Sequence, residues 1–459
     1  MLPTIATGNV GSALAGEFAN SLRFDDGSND YLNRTQSTSP TSADIGTISI
    51  WFKRSDLGTT HRLIHAYSDS TNFCQILIAS DGKMTIKQKV SDVNVINLIT
   101  NQVFRDPSAW YHIVVAVDTT QGTSSNRVKL YVNGSQVTSF STETYDSQNN
   151  DFSLFNKANL QIGWDNTNSK FSGYMSEVVY VDGQQLTPTS FGEFDEDTGI
   201  WKPIDVSGLT FGTNGFYLDF ENSGSLGNDK SGNGNNFTVN NLTSDDQVID
   251  TPTNNFATLN PLDNYWSNGT LSNGNLTFLS DTSNVTYIPS TIGVNSGKWY
   301  WEVEFDAKSG GSDSPVIGIT STQPTAGNQQ LGYFPNDWGY SGYSPSFYIN
   351  NNTETSYGSS YTTNDIIGVA LDLDNNKLYF SKNGTWQNSG DPTSGATGTG
   401  ALSITDPSST PLGFYFPAIC YYNVSNTGTF NANFGSSAFS YTVPSGYYAL
   451  NTKNLAEFG

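Results

Sequence analysis

Apolar and polar positions alternate with a period of two through much of this chain, the pattern of strands that turn one face to a core and the other to solvent. Ile48, Ile50 and Phe52 alternate with Ser49, Trp51 and Lys53. Val128, Leu130 and Val132 share one face and Arg127, Lys129 and Tyr131 the other; the Asn133-Gly134 that comes next favours a type I′ hairpin. Residues 110–118 are apolar on both alternating faces, which predicts a central strand covered on both sides. Further strands are predicted at 160–163 and 173–181. A turn-rich, Asn-rich stretch then runs over 187–275, punctuated by Pro188, Pro203, Gly224, Gly227, Pro252 and Pro261. A second strand series opens at 297–305, where Trp299, Trp301, Val303 and Phe305 face one way and Tyr300, Glu302 and Glu304 the other. It continues at 316–319, 364–374, 377–384, 416–419 and 433–435. Capped stretches with apolar residues at i, i+3, i+4 and i+7 are missing, so helix is expected to be nearly absent.

The pattern predicts an all-β protein of two jelly-roll-like β-sandwich domains joined by an Asn/Gly-rich segment. The expected divisions are an N-terminal attachment arm at 1–20, a first sandwich at 21–245, a linker at 246–279 and a second sandwich at 280–459. Two large β domains suit 459 residues. Composition agrees: aromatic residues make up 13% and charged residues 14%, well under the usual quarter, and polar turn-formers fill the difference.

Net charge narrows the function. At −22 the chain repels phosphate backbones, so nucleic acid is not an expected partner. No apolar run is long enough to span a bilayer, so no membrane insertion is expected; the first ten residues lack a basic region, so synthesis in a cytoplasm is expected. Cys74 and Cys420 are too far apart for a disulfide framework or thiolate metal site, and His61, His65 and His112 supply little imidazole for zinc hydrolysis or Ser-His-Asp catalysis.

The order of several motifs carries two resemblances. Leu22-Arg-Phe-Asp-Asp-Gly27, Ile48-Ser-Ile-Trp-Phe52, Trp110-Tyr-His-Ile-Val-Val115, Leu130-Tyr-Val-Asn-Gly134 and Phe171-Ser-Gly-Tyr-Met-Ser-Glu-Val178 resemble the laminin G-like, concanavalin A-like lectin/glucanase superfamily over about 20–190. That resemblance implies a two-sheet jelly roll, often glycan-binding and sometimes holding calcium. Residues 297–305, 364–374 and 377–384 with Phe416-Pro-Ala-Ile419 and Asn433-Phe-Gly435 resemble a SPRY domain over about 280–450, implying a bent sandwich whose loops bind a peptide or protein. After Lys382-Asn-Gly384 the chain departs from the SPRY pattern with an insertion at 387–401, so the loops beside it are expected to be rebuilt. Residues 216–224 and 229–239 resemble the segment that normally opens a laminin G-like domain, yet here they come after it. An unpaired sheet edge is an aggregation hazard, so strands near 216–220 and 236–239 are expected to return and complete the first sandwich by permutation.

Candidate chemistry is sparse. Glu193-Phe-Asp-Glu196 is similar to the paired carboxylates of laminarinase-type hydrolases, but the spacing fails and a turn is expected. Asp372-Leu-Asp-Asn-Asn376 lacks the glycine and distant glutamate of a calcium loop. Asp25, Asp26 and Asp30 beside Gly27 are the calcium candidates, since close hard oxygens can chelate and jelly rolls of the superfamily sometimes do; calcium is the single cofactor considered. Trp338, Tyr340 and Tyr343, within a Gly/Ser/Pro-rich run that also holds Tyr333, Phe334 and Phe347, and Trp386 at a hairpin end are the candidate ligand-binding rings, because loop aromatics offer contact area at low entropy cost.

Without a catalytic constellation, two sandwiches point to recognition or architecture. The pairing of domains and the Asn/Thr/Gly-heavy style resemble virion surface proteins of tailed, especially marine, bacteriophages. The resemblance implies a non-enzymatic structural protein on the virion surface, a fibre-like adhesin for host surface glycans or proteins, held to other virion proteins by its arm. Alternatives are a capsid decoration or head fibre protein, a polysaccharide-degrading enzyme, or a bacterial surface lectin. A homo-oligomer stays open.

Overall fold

The computed structural model describes residues 18–459 apart from 157–158, 165–168, 197, 264–268, 283–284, 286, 312–314, 344–345 and 423–424. Residues 1–17, nearly all of the expected arm, lie outside them. The protein is all-β, with a single α-helix, Thr452–Phe458, and short 3₁₀ turns among the described residues.

Two units divide the chain, one ending at Thr253 and the other running from Asn254 to Gly459. The first is a sandwich of two antiparallel sheets. One orders its strands Ser135–Gln136, Val128–Val132, Tyr111–Asp118, Ile45–Arg54, Gly173–Asp182, Ser21–Phe24 and Gln247–Val248. The other orders Phe140–Thr144, Val93–Val103, Lys83–Val90, Asn72–Ile78, His61–Asp69, Asn159–Ile162, Tyr31–Thr35 and Thr238–Asn240. Alternation builds the core: Ile48, Ile50, Phe52, Ile113, Val115 and Met175 from one sheet meet Leu32, Ile64, Ile76, Ile86, Leu98 and Leu160 from the other. On the opposite face of the central strand Val114 and Ala116 pack under Phe191, Val206 and Phe211, so both faces are covered.

Phe216–Leu218 pairs with Gly173–Asp182, and Thr238–Asn240 pairs with Tyr31–Thr35, so both late segments lie in the first sandwich. Gly173–Asp182 therefore meets two partners end to end on one edge, Ser21–Phe24 and then Phe216–Leu218. The change-over falls at Glu177, whose φ is +50° and where register against Ile45–Arg54 slips, because a bulge bends a strand and re-aims its edge.

The expected linker at 246–279 is corrected by the strands it contains. Gln247–Val248 pairs with Ser21–Phe24, and Thr270–Ser272 and Thr277–Leu279 extend a sheet of the second unit. A buried ion pair fastens the end of the first unit: Lys53 Nζ lies 2.5 Å from Asp250 Oδ2, Trp110 Nε1 donates to Asp250 Oδ1 at 3.1 Å, and Ser21 Oγ donates to the Asp250 carbonyl.

The second unit is also two sheets. One runs Thr270–Ser272, Thr277–Leu279, Gly428–Asn433, Lys298–Lys308, Asp365–Asp372, Lys377–Lys382 and Thr385–Trp386; the other runs Tyr287–Pro289, Phe416–Tyr421, Pro315–Thr320, Trp338–Ser341, Phe347–Asn350 and Thr353–Ser356. Trp299, Trp301, Val303 and Phe305 enter the core as the alternation predicts. Tyr300 and Glu302, on the supposedly wet face, are also buried, because Trp386, Phe439, Val443 and Tyr447 cover them.

Candidate functional site

The covering layer on that outer face leaves a groove of about 460 Å³ lined by Gly384, Trp386, Asp391, Pro392, Tyr441 and Val443, among others. Its geometry starts at a two-residue turn. Asn383 and Gly384 both take positive φ, 48° and 76°, the type I′ arrangement that closes Lys377–Lys382 onto Thr385–Trp386. A side chain at Gly384 would place its Cβ 2.5 Å from the Tyr441 ring, so the glycine admits Tyr441 against the hairpin. Trp386 then leans edge-on against Tyr300 and Tyr379, each with ring centroids 6.4 Å away.

The opposite wall hangs on a buried carboxylate. Glu302 accepts hydrogen bonds from the backbone N–H of Ser440 at 2.7 Å and of Tyr441 at 2.9 Å, and from the Tyr300 hydroxyl at 2.8 Å. Burial raises its pKa, against the pull of those donors. Glu302 is a positioning residue; it sets the Tyr441 backbone and does not reach the groove. The floor is fixed by Asp391, whose carboxylate caps Thr393 N at 2.9 Å, and by Tyr447, whose hydroxyl donates to the Pro392 carbonyl at 3.0 Å. Two aromatic rings facing a Pro- and Gly-lined floor can hold a flat apolar surface while backbone groups contact its polar edge.

The four candidate rings do not form one surface. Trp386 lines the groove. Tyr340 is corrected: it is fully buried among Tyr357, Tyr361 and Phe380, with its hydroxyl bonded to the Ser359 carbonyl, because it alternates inward on the strand Trp338–Ser341. Trp338 is half-buried against Tyr348, and Tyr343 is exposed beside Phe347. No ring contact joins either to Trp386 among the described residues. Tyr441, Pro392 and Glu302 escaped sequence reading; the departure after Gly384 was the available signal. A smaller cleft of about 260 Å³ lies at Tyr287, Thr320, Leu412 and Phe416. Two of its hydroxyls are committed within the fold, Tyr287 to the Thr322 carbonyl and Thr320 to Asp337, whereas the buried Thr322 Oγ1 has no hydrogen-bond partner among the described residues.

The calcium candidates lie together in one turn. Asp25 Oδ1 accepts from Gly27 N at 2.9 Å, Asp30 Oδ2 accepts from Asp25 N at 2.9 Å, and the Lys170 ammonium sits on the Asp26 carbonyl at 2.8 Å. Asp25 Oδ1 and Asp30 Oδ2 thus serve the turn itself, while Asp30 Oδ1 is buried without a hydrogen-bond partner among the described residues, where no three His, Cys, Asp or Glu side chains gather as a metal site. Glu193 and Asp195 lie on an exposed hairpin, Gly192–Phe194 against Trp201–Pro203, each paired with Lys202.

His112 and Ser49 form a Ser–His pair in the first unit. His112 Nε2 lies 2.7 Å from Ser49 Oγ, while Trp201 Nε1 donates to Nδ1 at 2.9 Å. An indole N–H only donates, so Nδ1 carries no proton and Nε2–H donates to Ser49. This tautomer cannot accept the serine proton, and the pair is structural.

Comparison with known proteins finds one matched segment within each unit. Residues 26–190 match the Concanavalin A-like lectin/glucanases superfamily and residues 298–432 match the SPRY domain, so the chain carries a domain of each kind in that order. It is similar to Ran-binding protein 9 of Danio rerio, 34% identical over 98 residues that make up 21% of this chain and 15% of that protein. The chain thus spans well under a fifth of the length of that curated relative. Among solved structures, the SPRY domain of human HERC1 aligns with 17% identity over 38% of this chain and 96% of its own, with TM-score 0.30. A SAP-like pentraxin from Limulus polyphemus aligns with 18% identity over 38% of this chain and 80% of its own, with TM-score 0.29.

Proposed function

We propose that this protein is a non-enzymatic recognition protein of a bacteriophage virion surface, a fibre-like adhesin whose groove at Trp386 engages a host surface glycan or protein. The observation that carries the reading is the groove itself. Its rings and loop are presented from a rigid sheet by Glu302 and Gly384 rather than folded into the core, and preorganised aromatics on a rigid frame suit binding without chemistry. The lectin-like and SPRY folds are in keeping with it, as is a Ser–His pair held in the wrong tautomer. Attachment to other virion proteins is assigned to the arm at 1–20, and the virion surface is the proposed location.

The test combines placement with function. Imaging purified virions with this chain fitted into density should put it on the particle surface. Trp386→Ala should cut adsorption to host cells at least fivefold while the chain still folds and assembles into particles. Intact adsorption with lowered capsid stability would favour a decoration or head fibre role instead, and absence from the particle would overturn the reading.

A further inference from the structure

The smaller cleft of the second unit, about 260 Å³, forms where three neighbouring strands of one sheet come to their ends. Thr320 closes Pro315–Thr320 opposite Phe416, the first residue of Phe416–Tyr421, and Tyr287–Pro289 lies on the other side of that strand. The walls are held in place. Leu412 N donates to the Ser321 carbonyl at 3.3 Å, and the Phe416 ring lies so close to Gly293 that a Cβ there would come within 2.5 Å of it. Leu412, Pro324 and Phe416 give the lining apolar surface and Asp263 gives it charge, while no lysine, arginine or histidine takes part in it among the described residues.

The hydrogen-bond capacity of this lining is unevenly used. The Tyr287 hydroxyl donates to the Thr322 carbonyl at 2.7 Å, Ser290 Oγ to the Ile292 carbonyl at 2.8 Å, Gln323 Nε2 to Asp263 Oδ1 at 2.8 Å, and Thr320 Oγ1 to Asp337 Oδ1 at 2.7 Å. What stays open can accept. Thr322 Oγ1 is buried without a partner among the described residues, and so is Asp337 Oδ2, one hydrogen bond behind Thr320 on a residue that is 0% exposed. Neither Asp263 nor Asp337 forms an ion pair with a lysine or arginine among the described residues. Burial holds the Asp337 carboxyl up at about 7, against the hydrogen bonds from Thr320 and Tyr287. A buried acceptor without a donor and two carboxyl groups without a cation call for a ligand that brings both.

We propose that this cleft binds a small organic cation, an ammonium or guanidinium head on a short aliphatic stem. The head donates to Thr322 Oγ1 and lies in the field of Asp263 and Asp337, and the stem packs on Leu412, Pro324 and the Phe416 ring. Charge decides against the alternatives. A carboxylate or phosphate ligand would meet two acids and no base, and a neutral alcohol brings one donor where an ammonium brings three and a guanidinium five, without the charge that the carboxyl groups lack. A cleft of about 260 Å³ holds one short chain rather than a folded segment of another protein. The site shares no lining residue with the groove at Trp386, and its test separates the two.

The experiment is a ligand-observed NMR titration of the full chain with four probes on one butyl stem: butylammonium, butylguanidinium, 1-butanol and pentanoate. At least one cation should bind tenfold more tightly than 1-butanol, and which one does distinguishes an ammonium from a guanidinium ligand; pentanoate should bind more weakly still. Asp263→Asn keeps the oxygen that Gln323 contacts and removes the charge, so it should weaken the cation at least fivefold and leave 1-butanol unchanged. Leu412 is 42% exposed, so Leu412→Lys leaves the core intact, sets a tethered ammonium at the cleft and should block the free cation. Trp386→Ala should leave binding as it is. No binding of either cation, equal binding of 1-butanol or pentanoate, full affinity in both the Asp263→Asn and Leu412→Lys variants, or tighter binding of a blocked Gly-Arg-Gly peptide than of butylguanidinium would each overturn the proposal.

Discussion

Acid should destabilise the first unit in part through His112, and the size of that part comes from its surroundings. The ring is fully buried, stacked on Trp51 with centroids 4.5 Å apart, and held between Ser49 and Trp201. A second proton on Nδ1 would confront the Trp201 N–H with another donor and charge a site without a counter-ion. Burial pushes the pKa down from 6.5 to about 3. Between those values the unfolded chain binds a proton that the folded chain refuses. The stability contributed by the neutral ring is therefore complete above pH 6.5 and is lost as the pH falls through the window. At about 1.36 kcal/mol per pH unit the loss is about 2 kcal/mol by pH 5 and about 4 kcal/mol by pH 3. Urea unfolding of the full chain, followed by tryptophan fluorescence near pH 7.5 and pH 5, measures it against His112→Gln, which removes this titration and leaves the other acid-sensitive groups in place. The stability advantage of the wild type over the variant should shrink by about 2 kcal/mol across that interval. An advantage that does not change with pH, or a histidine resonance assigned to His112 that titrates near 6.5, would refute the tautomer argument.

Two further outcomes test how the units are held. Asp250→Ala should destabilise the first unit by about 3–5 kcal/mol in the same urea assay, because it strands the Lys53 ammonium in the interior, and Lys53→Met added to Asp250→Leu should restore most of the loss. Glu302→Gln replaces one acceptor oxygen by a donor facing backbone N–H groups, so hydrogen exchange at the Ser440 and Tyr441 amides should rise at least tenfold while that of the Gly428–Asn433 strand is unchanged.

The two-sandwich architecture was legible because strand alternation is written locally. Ile48, Ile50 and Phe52 needed no tertiary information to be placed inward, and two Asn-Gly dipeptides marked hairpins whose φ values are positive at 133, 134, 383 and 384. Where local signal was short or mixed, reading failed. Gln247–Val248 and Thr270–Ser272 are too brief to show a period, which hid their membership of sheets inside an expected linker. Tyr340 sits in a run rich in Gly, Ser and Pro that looks like loop, while its strand is four residues long and turns it inward. The Asp25–Asp30 spacing carried no information on whether the oxygens face a cation or their own backbone; Asp25 Oδ1 and Asp30 Oδ2 face the backbone.

The groove at Trp386 and the outward side of the first unit's second sheet differ in what the sequence can reveal because different physics places their residues. On the sheet face, Arg62 and Lys87 stand 25 residues apart in the chain and share a surface only through the registers of three strands; given those registers, alternation alone puts them on one side. A one-residue slip would send Lys87 into the core, so the same hydrophobic pattern that builds the sandwich also protects the cationic row. The groove at Trp386 has no such guarantee. Its wall depends on a carboxylate 139 residues from Tyr441 and on a glycine that yields space to the Tyr441 ring, neither of which the hydrophobic pattern enforces. Substitution within the groove can therefore change its lining while the sandwich stays folded, whereas the outward placing of Arg62, Lys87 and Lys89 is held by the register itself.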